Sequence, residues 1–93
     1  MRLRWSKRSI NDLIAIQRHI AQNNPLMARK WISKIRRRAK SAADMPMAGR
    51  VVPEFNQKDI REVFLGSYRI VYRVREDDTL ILTVFEGHQL LQL

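Results

Sequence analysis

Arg69, Arg73 and Arg75 share one parity of the stretch GSYRIVYRVR, residues 66–75, while Tyr68, Ile70, Tyr72 and Val74 share the other. Successive side chains of a strand point to opposite faces, so this spacing lines one face with three guanidinium groups. Guanidinium forks match phosphate oxygens, and Arg69 is the best phosphate clamp in the chain. Cutting a phosphodiester also needs a base for the 2′-hydroxyl, an acid for the leaving oxygen and cations for the developing charge. His88 is the one side chain outside the first helical segment that titrates near neutral pH. A second cationic set needs no catalytic group. Lys30, Lys34, Arg37 and Arg38 fall close to one stripe at helical spacing. Such a stripe meets a polyanion by neutralising phosphates, and its binding weakens steeply with salt. The plain alternative for both sets is a solvated face, where surface ion pairs are worth about 0–1 kcal/mol each. Tyr68 and Tyr72 read as core side chains with a polar tip rather than as platforms for stacked bases.

The elements that carry these residues follow from periodicity. MRLRW, residues 1–5, alternates as a short strand, with Leu3 and Trp5 opposite in parity to Arg2 and Arg4. Ser6 or Ser9 caps a helix whose apolar face is Ile10, Leu13, Ile14, Ile16, Ile20 and Ala21, running to about Asn23, with Asp12 in its first turn. Asn24 and Pro25 then open a second helix as cap and first residue. Its stripe is Ala28, Trp31, Ile32, Ile35, Ala39 and Ala42, and Pro46 ends it near Asp44. So short a connection predicts an antiparallel helical hairpin. Residues 47–59 read as irregular. From Ile60 the period becomes two: IREVFL, YRIVYRV and TLILTVFE read as an antiparallel meander, turning at Gly66-Ser67 and at Glu76-Asp77-Asp78. The expected fold is α+β, one domain over residues 1–93, in the order β-α-α-β-β-β. The helical hairpin packs on one face of a small, mainly antiparallel sheet. Arg69, Arg73 and Arg75 are then expected on the other face, uncovered and concave.

Composition narrows the function classes. Ninety-three residues suit one domain. There is no cysteine, and His19 and His88 give no zinc spacing, so neither a disulfide nor a metal site is expected. No apolar run is long enough to span a membrane, and MRLRWSKRS is not followed by the apolar stretch of a secretory signal, so the expected location is the cytoplasm. The net charge of +9 is one-sided. Residues 1–50 hold 13 Lys/Arg against Asp12 and Asp44, whereas residues 51–93 hold 5 against 7 acids. That field favours a polyanion or an acidic protein as partner.

In order and spacing the pieces resemble the RelE/ParE superfamily, the toxins of type II toxin–antitoxin modules, over nearly the whole chain. The carriers begin with Trp5, the run Asp12-Leu13-Ile14-Ala15-Ile16, Asn24-Pro25, and Pro46…Gly49-Arg50…Pro53-Glu54. They continue with Arg61-Glu62-Val63, Tyr68-Arg69-Ile70-Val71-Tyr72 and Val84-Phe85-Glu86-Gly87-His88. The resemblance implies one of two activities: poisoning of DNA gyrase, as in the ParE-like branch, or cutting of messenger RNA on the ribosome, as in the RelE-like branch. The Asn-Pro helix start, the Gly-Arg…Pro-Glu loop and the Arg-Glu strand are more similar to the ParE-like branch, which implies an inhibitor of gyrase rather than an enzyme and requires no cofactor. Were the chain a nuclease, it would be a metal-independent endoribonuclease, and the resemblance would assign catalysis to Arg69, His88 and Glu54. Gln89, however, stands where an aromatic or basic neighbour of the histidine is expected. The target-binding residues on the gyrase reading are the helical stripe with Arg69, Arg73 and Arg75. A third class, a nucleic-acid-binding module without enzymatic activity, has the charge in its favour but none of the known helix-turn-helix, RNA-binding or zinc signatures. The resemblance also implies a cognate antitoxin. Its C-terminal segment would fold on the toxin, drawn by the basic helices and seated on exposed apolar positions between them or on an edge strand.

Overall fold

A computed structural model describes residues 2–87. The elements run β1 (Arg2–Trp5), α1 (Lys7–Ala21), α2 (Pro25–Asp44), a 3-10 turn (Pro46–Ala48), β2 (Arg50–Val51), β3 (Ile60–Leu65), β4 (Tyr68–Val74) and β5 (Asp78–Glu86). The fold is α+β, with a helical hairpin on a five-stranded sheet ordered β1-β5-β4-β3-β2. β3, β4 and β5 form the expected meander, and β1 joins its far side in parallel with β5. The first and last strands therefore lie side by side. This parallel junction requires a crossover, which leaves through the two helices and returns through β2, β3 and β4.

Local chemistry explains the boundaries. Ser6, not Ser9, caps α1: its hydroxyl oxygen accepts from the Ser9 amide at 3.0 Å and donates to the Leu82 carbonyl at 3.0 Å. The helix thus starts earlier than the Ser9 alternative requires, and Asp12 lies beyond its first turn. Asp12 instead accepts from the Thr83 hydroxyl at 2.6 Å and the Val84 amide at 3.0 Å, which ties α1 to β5 beyond the end of β1. Asn24 caps α2 by accepting from the Met27 amide at 3.0 Å, and Pro25 occupies the first helical position, where no donor is missed. Gly66 opens the β3–β4 turn at φ 57°, a left-handed backbone that glycine adopts without strain.

The main core lies between the helices and one sheet face. Leu13, Ile35, Ala39, Ala42, Val63, Ile70, Tyr72, Ile81 and Val84 are buried there. Small residues at 39 and 42 let α2 approach the sheet closely. Tyr72 is fully buried, and its hydroxyl donates to the Pro46 carbonyl at 2.7 Å, so its polar tip holds the turn that ends α2. Ile81 and Val84 reach the same core although three residues apart. The register slips between Val71 and Tyr72, whose partners are Thr83 and Ile81, and leaves Leu82 unpaired. This bulge breaks simple alternation. Leu82 and Phe85 turn instead to the opposite face, where they pack against Val52, Ile60 and Val71.

That second cluster revises two expectations. The segment between the helices and the meander is not irregular throughout: Arg50–Val51 pairs with β3, at Arg50↔Glu62 and Val51↔Arg61. Residues 52–59 then fold back over the sheet face that the helices leave free. Val52 is fully buried and Phe55 packs beside it. The second face is therefore covered over its β3–β4 half.

Candidate functional site

Arg69 is where the expectation of bare guanidinium groups fails. It lies on the predicted face, but it is buried, only 6% exposed. Its Nε donates to Glu62 at 2.7 Å, and its two terminal nitrogens reach Glu54 at 3.0 and 3.2 Å. Glu62 is buried as well, 1% exposed, and its other oxygen accepts from Arg50 Nε at 2.8 Å and Nη2 at 2.5 Å. The physical reason is the segment carrying Val52 and Phe55. Its apolar burial brings Glu54 onto Arg69, and a buried guanidinium persists only where carboxylates satisfy it. The hydrogen bonds from Arg69 hold the Glu54 carboxyl below its ordinary range, against partial desolvation. The same bonds, with those to Glu62, raise Arg69 further. Arg50 and Arg69 also stack over Phe64 and Phe85, at 5.6 and 5.2 Å. The four charges cancel, so Arg69 offers no free guanidinium to a phosphate.

The other two arginines of the predicted set, Arg73 and Arg75, are half exposed and partnered. Arg73 Nε lies 3.4 Å from Asp59, and Arg75 binds Asp78 through Nε at 2.5 Å and Nη2 at 2.7 Å. Asp78 also faces Arg4 at 3.1 Å. Its carboxyl is held below the ordinary range, first by the Arg75 hydrogen bonds and then by the charges of Arg75, Arg4 and Arg2. Glu54 serves as partner to Arg69 rather than as a free acid. His88, with Gln89, lies outside the described residues. Among the described residues no group of three or more His, Cys, Asp or Glu side chains is gathered to hold a metal.

The helical stripe is different. Lys30, Lys34 and Arg37 are exposed on α2, and Arg38 is partly covered, donating to the Phe64 carbonyl at 3.2 Å. Lys34 lies 5.3 Å over the Trp31 ring, which in turn packs on Tyr68. Residues 7–44, spanning both helices, carry ten Lys/Arg and only Asp12 and Asp44 as acids. Among the described residues no ion pair reaches any of those ten. Residues 45–93 carry six Lys/Arg against seven acids. Folding thus sets a cationic helical layer apart from residues 45–93, whose charges nearly balance, with Arg2 and Arg4 of β1 outside both counts, a difference that summed fields make effective at a distance.

An apolar groove adjoins that layer. Ile10 and Ile14 stand 47% and 42% exposed on α1, although they share the apolar stripe of the helix. With Trp5, Ile32 and Arg36 they line a cavity of about 210 Å³. Sequence periodicity places these isoleucines on the apolar face of the helix. A helix packed on one sheet and one neighbouring helix can bury only part of so wide a stripe.

A small basic α+β fold with a helical hairpin over a mixed sheet is thus the class. The model of the ParE toxin of type II toxin–antitoxin systems, parDE, matches residues 3–91. The chain belongs to that family. Among solved structures, the chromosomal ParDE toxin–antitoxin system from P. aeruginosa matches with a TM-score of 0.77 at 24% identity, over 92% of this chain and 95% of that one. At that identity the likeness speaks for the fold. The comparison with curated proteins gives no significant match. No helix among the described residues is long and apolar enough to cross a membrane.

Proposed function

We propose that residues 1–93 act as a single ParE-like toxin domain in the cytoplasm, arresting growth by poisoning DNA gyrase and held inactive by a cognate antitoxin. Family membership supports the toxin. The burial of Arg69 between Glu54 and Glu62 carries the choice of target. A ribonuclease needs a strand guanidinium free to meet the scissile phosphate, and here that group is already saturated with carboxylate. The gyrase reading requires only a surface complementary to the enzyme or to its DNA. The exposed cations Lys30, Lys34 and Arg37, with Arg38, supply one. The groove beside Ile10 and Ile14 is the apolar seat for the antitoxin, and the surrounding cations speed the encounter with an acidic chain.

Purified toxin is tested in parallel on gyrase with plasmid DNA and on translating ribosomes with primer extension of the messenger. Gyrase-dependent cleaved DNA with intact messenger is the expected result. Codon-phased cuts in messenger, with gyrase unaffected, would reverse the assignment. Charge reversal at Lys34 and Arg37 in a folded protein should abolish or greatly weaken toxicity. Full toxicity in that variant would remove the helix from the target surface.

A further inference from the structure

The sheet face opposite the helices is closed only over β3 and β4, and its β1 end gathers a second cationic surface. Parallel pairing sets Arg2 beside Asp78 and Arg4 beside Leu80, while β4 sets Arg73 on the other side of Leu80. Arg4 and Arg73 therefore flank one residue in a single cross-strand row. Arg75 joins them through Asp78. Arg8, at the start of α1, and Arg73 both line an opening of about 290 Å³, with Leu82 and Ser6.

Five arginines thus gather from β1, α1, β4 and the turn after β4, and two carboxylates pair with them. Asp78 is buried and engaged by Arg4 and Arg75, and Asp59 stands beside Arg73 alone. Counting Glu76 and Asp77 of the adjoining turn as well, a surplus of one positive charge remains. The side chains of Arg4, Arg73 and Arg75 keep 51%, 44% and 41% of their surface exposed, so their forks reach solvent. Arg73 is also incompletely satisfied. Its Nε is shut off from solvent and donates no hydrogen bond to any described group. The Asp59 carboxylate, 3.4 Å away, satisfies this buried donor only weakly.

We propose that this arginine surface binds backbone phosphates of duplex DNA, on the side of the molecule opposite the α2 stripe. Planar guanidinium forks on adjacent strands suit phosphate oxygens. An acidic polypeptide is the poorer fit, because a chain that folds on binding needs apolar anchors. The exposed apolar seats lie instead on the helical side, at Ile10 and Ile14. The inference rests on the gyrase reading only for its choice of DNA as the polyanion, and it concerns binding without gyrase.

The experiment measures fluorescence anisotropy of a short labelled duplex with purified toxin across a salt series, for the wild type, for Arg8→Gln with Arg73→Gln, and for Lys34→Gln with Arg37→Gln. Circular dichroism checks that each variant is folded. Each phosphate contact contributes about 0.9 to the slope of log affinity on log salt. The Arg8/Arg73 variant should therefore bind more weakly, with a slope shallower by about two. An unchanged slope in that folded variant overturns the inference, as does wild-type toxin that binds no duplex at low salt. It is equally overturned if the two substitutions weaken binding of poly-glutamate but not of DNA. Duplex binding that depends on Arg8 and Arg73 in a protein without effect on gyrase would keep the inference and refute the gyrase target instead.

Discussion

Replacing Glu62 by alanine tests the charge network most directly. The carboxylate is buried and takes hydrogen bonds from Arg50 on one oxygen and Arg69 on the other. Arg50 can be rehydrated, since 60% of its side chain is exposed, whereas only 8% of Arg69 is. Removing one partner of a buried pair typically costs about 3–5 kcal/mol. Arg69 retains Glu54, so we expect the lower end, about 3 kcal/mol. For a domain of this size each kcal/mol moves Tm by roughly 4–8 °C, which makes the expected fall roughly 12–24 °C. The second arm replaces both buried partners with apolar groups, Glu62→Leu with Arg69→Met. Glu54 and Arg50 are then left alone at exposed positions where water solvates them. The double variant should lie within about 1 kcal/mol of wild type, well above the single Glu62→Ala, as replaced buried ion pairs often do. Urea denaturation with thermal melts measures both. A Glu62→Ala protein within about 1 kcal/mol of wild type would refute the reasoning. So would a double variant whose loss equals the sum of the losses of Glu62→Leu and Arg69→Met measured singly.

Gly49→Ala should destabilise severely, because the new Cβ collides with the Tyr72 hydroxyl and lies 3.0 Å from the Glu62 carbonyl oxygen. Tyr72→Phe in the same chain should restore part of the lost Tm. Asn24→Ala removes the acceptor for the Met27 amide and should cost about 1 kcal/mol in chemical denaturation, with Asn24→Ser nearly neutral. The lowered Glu54 carboxyl sets an acid limb. A carboxylate whose folded pKa is depressed contributes stability that is complete above its unfolded value. That contribution should fade as pH drops below the ordinary 4.5 and be gone once pH passes the lowered folded value. Glu54→Gln should flatten this limb in melts recorded against pH, and an unaltered limb would show that the Arg69 pairing does not supply it.

Much of the scaffold was legible in the residues themselves. Helix and strand identities followed from periods of 3.6 and two. The α2 start followed from Asn24 and Pro25, whose capping chemistry is local. The partition of Tyr68, Ile70, Tyr72 and Val74 from Arg69, Val71, Arg73 and Arg75 followed from strand geometry. The cationic bias of the helices followed from counting. What the arginines do was decided only by tertiary structure. Val52, Glu54 and Phe55 lie 14 or more residues from Arg69 in sequence, and no local rule says that their segment folds over the sheet. The parallel pairing of β1 with β5 likewise brings Arg4 to Arg73 across most of the chain. Parity tells which way a side chain points; whether water, a carboxylate or a phosphate meets it there depends on non-local burial, which only the folded chain defines.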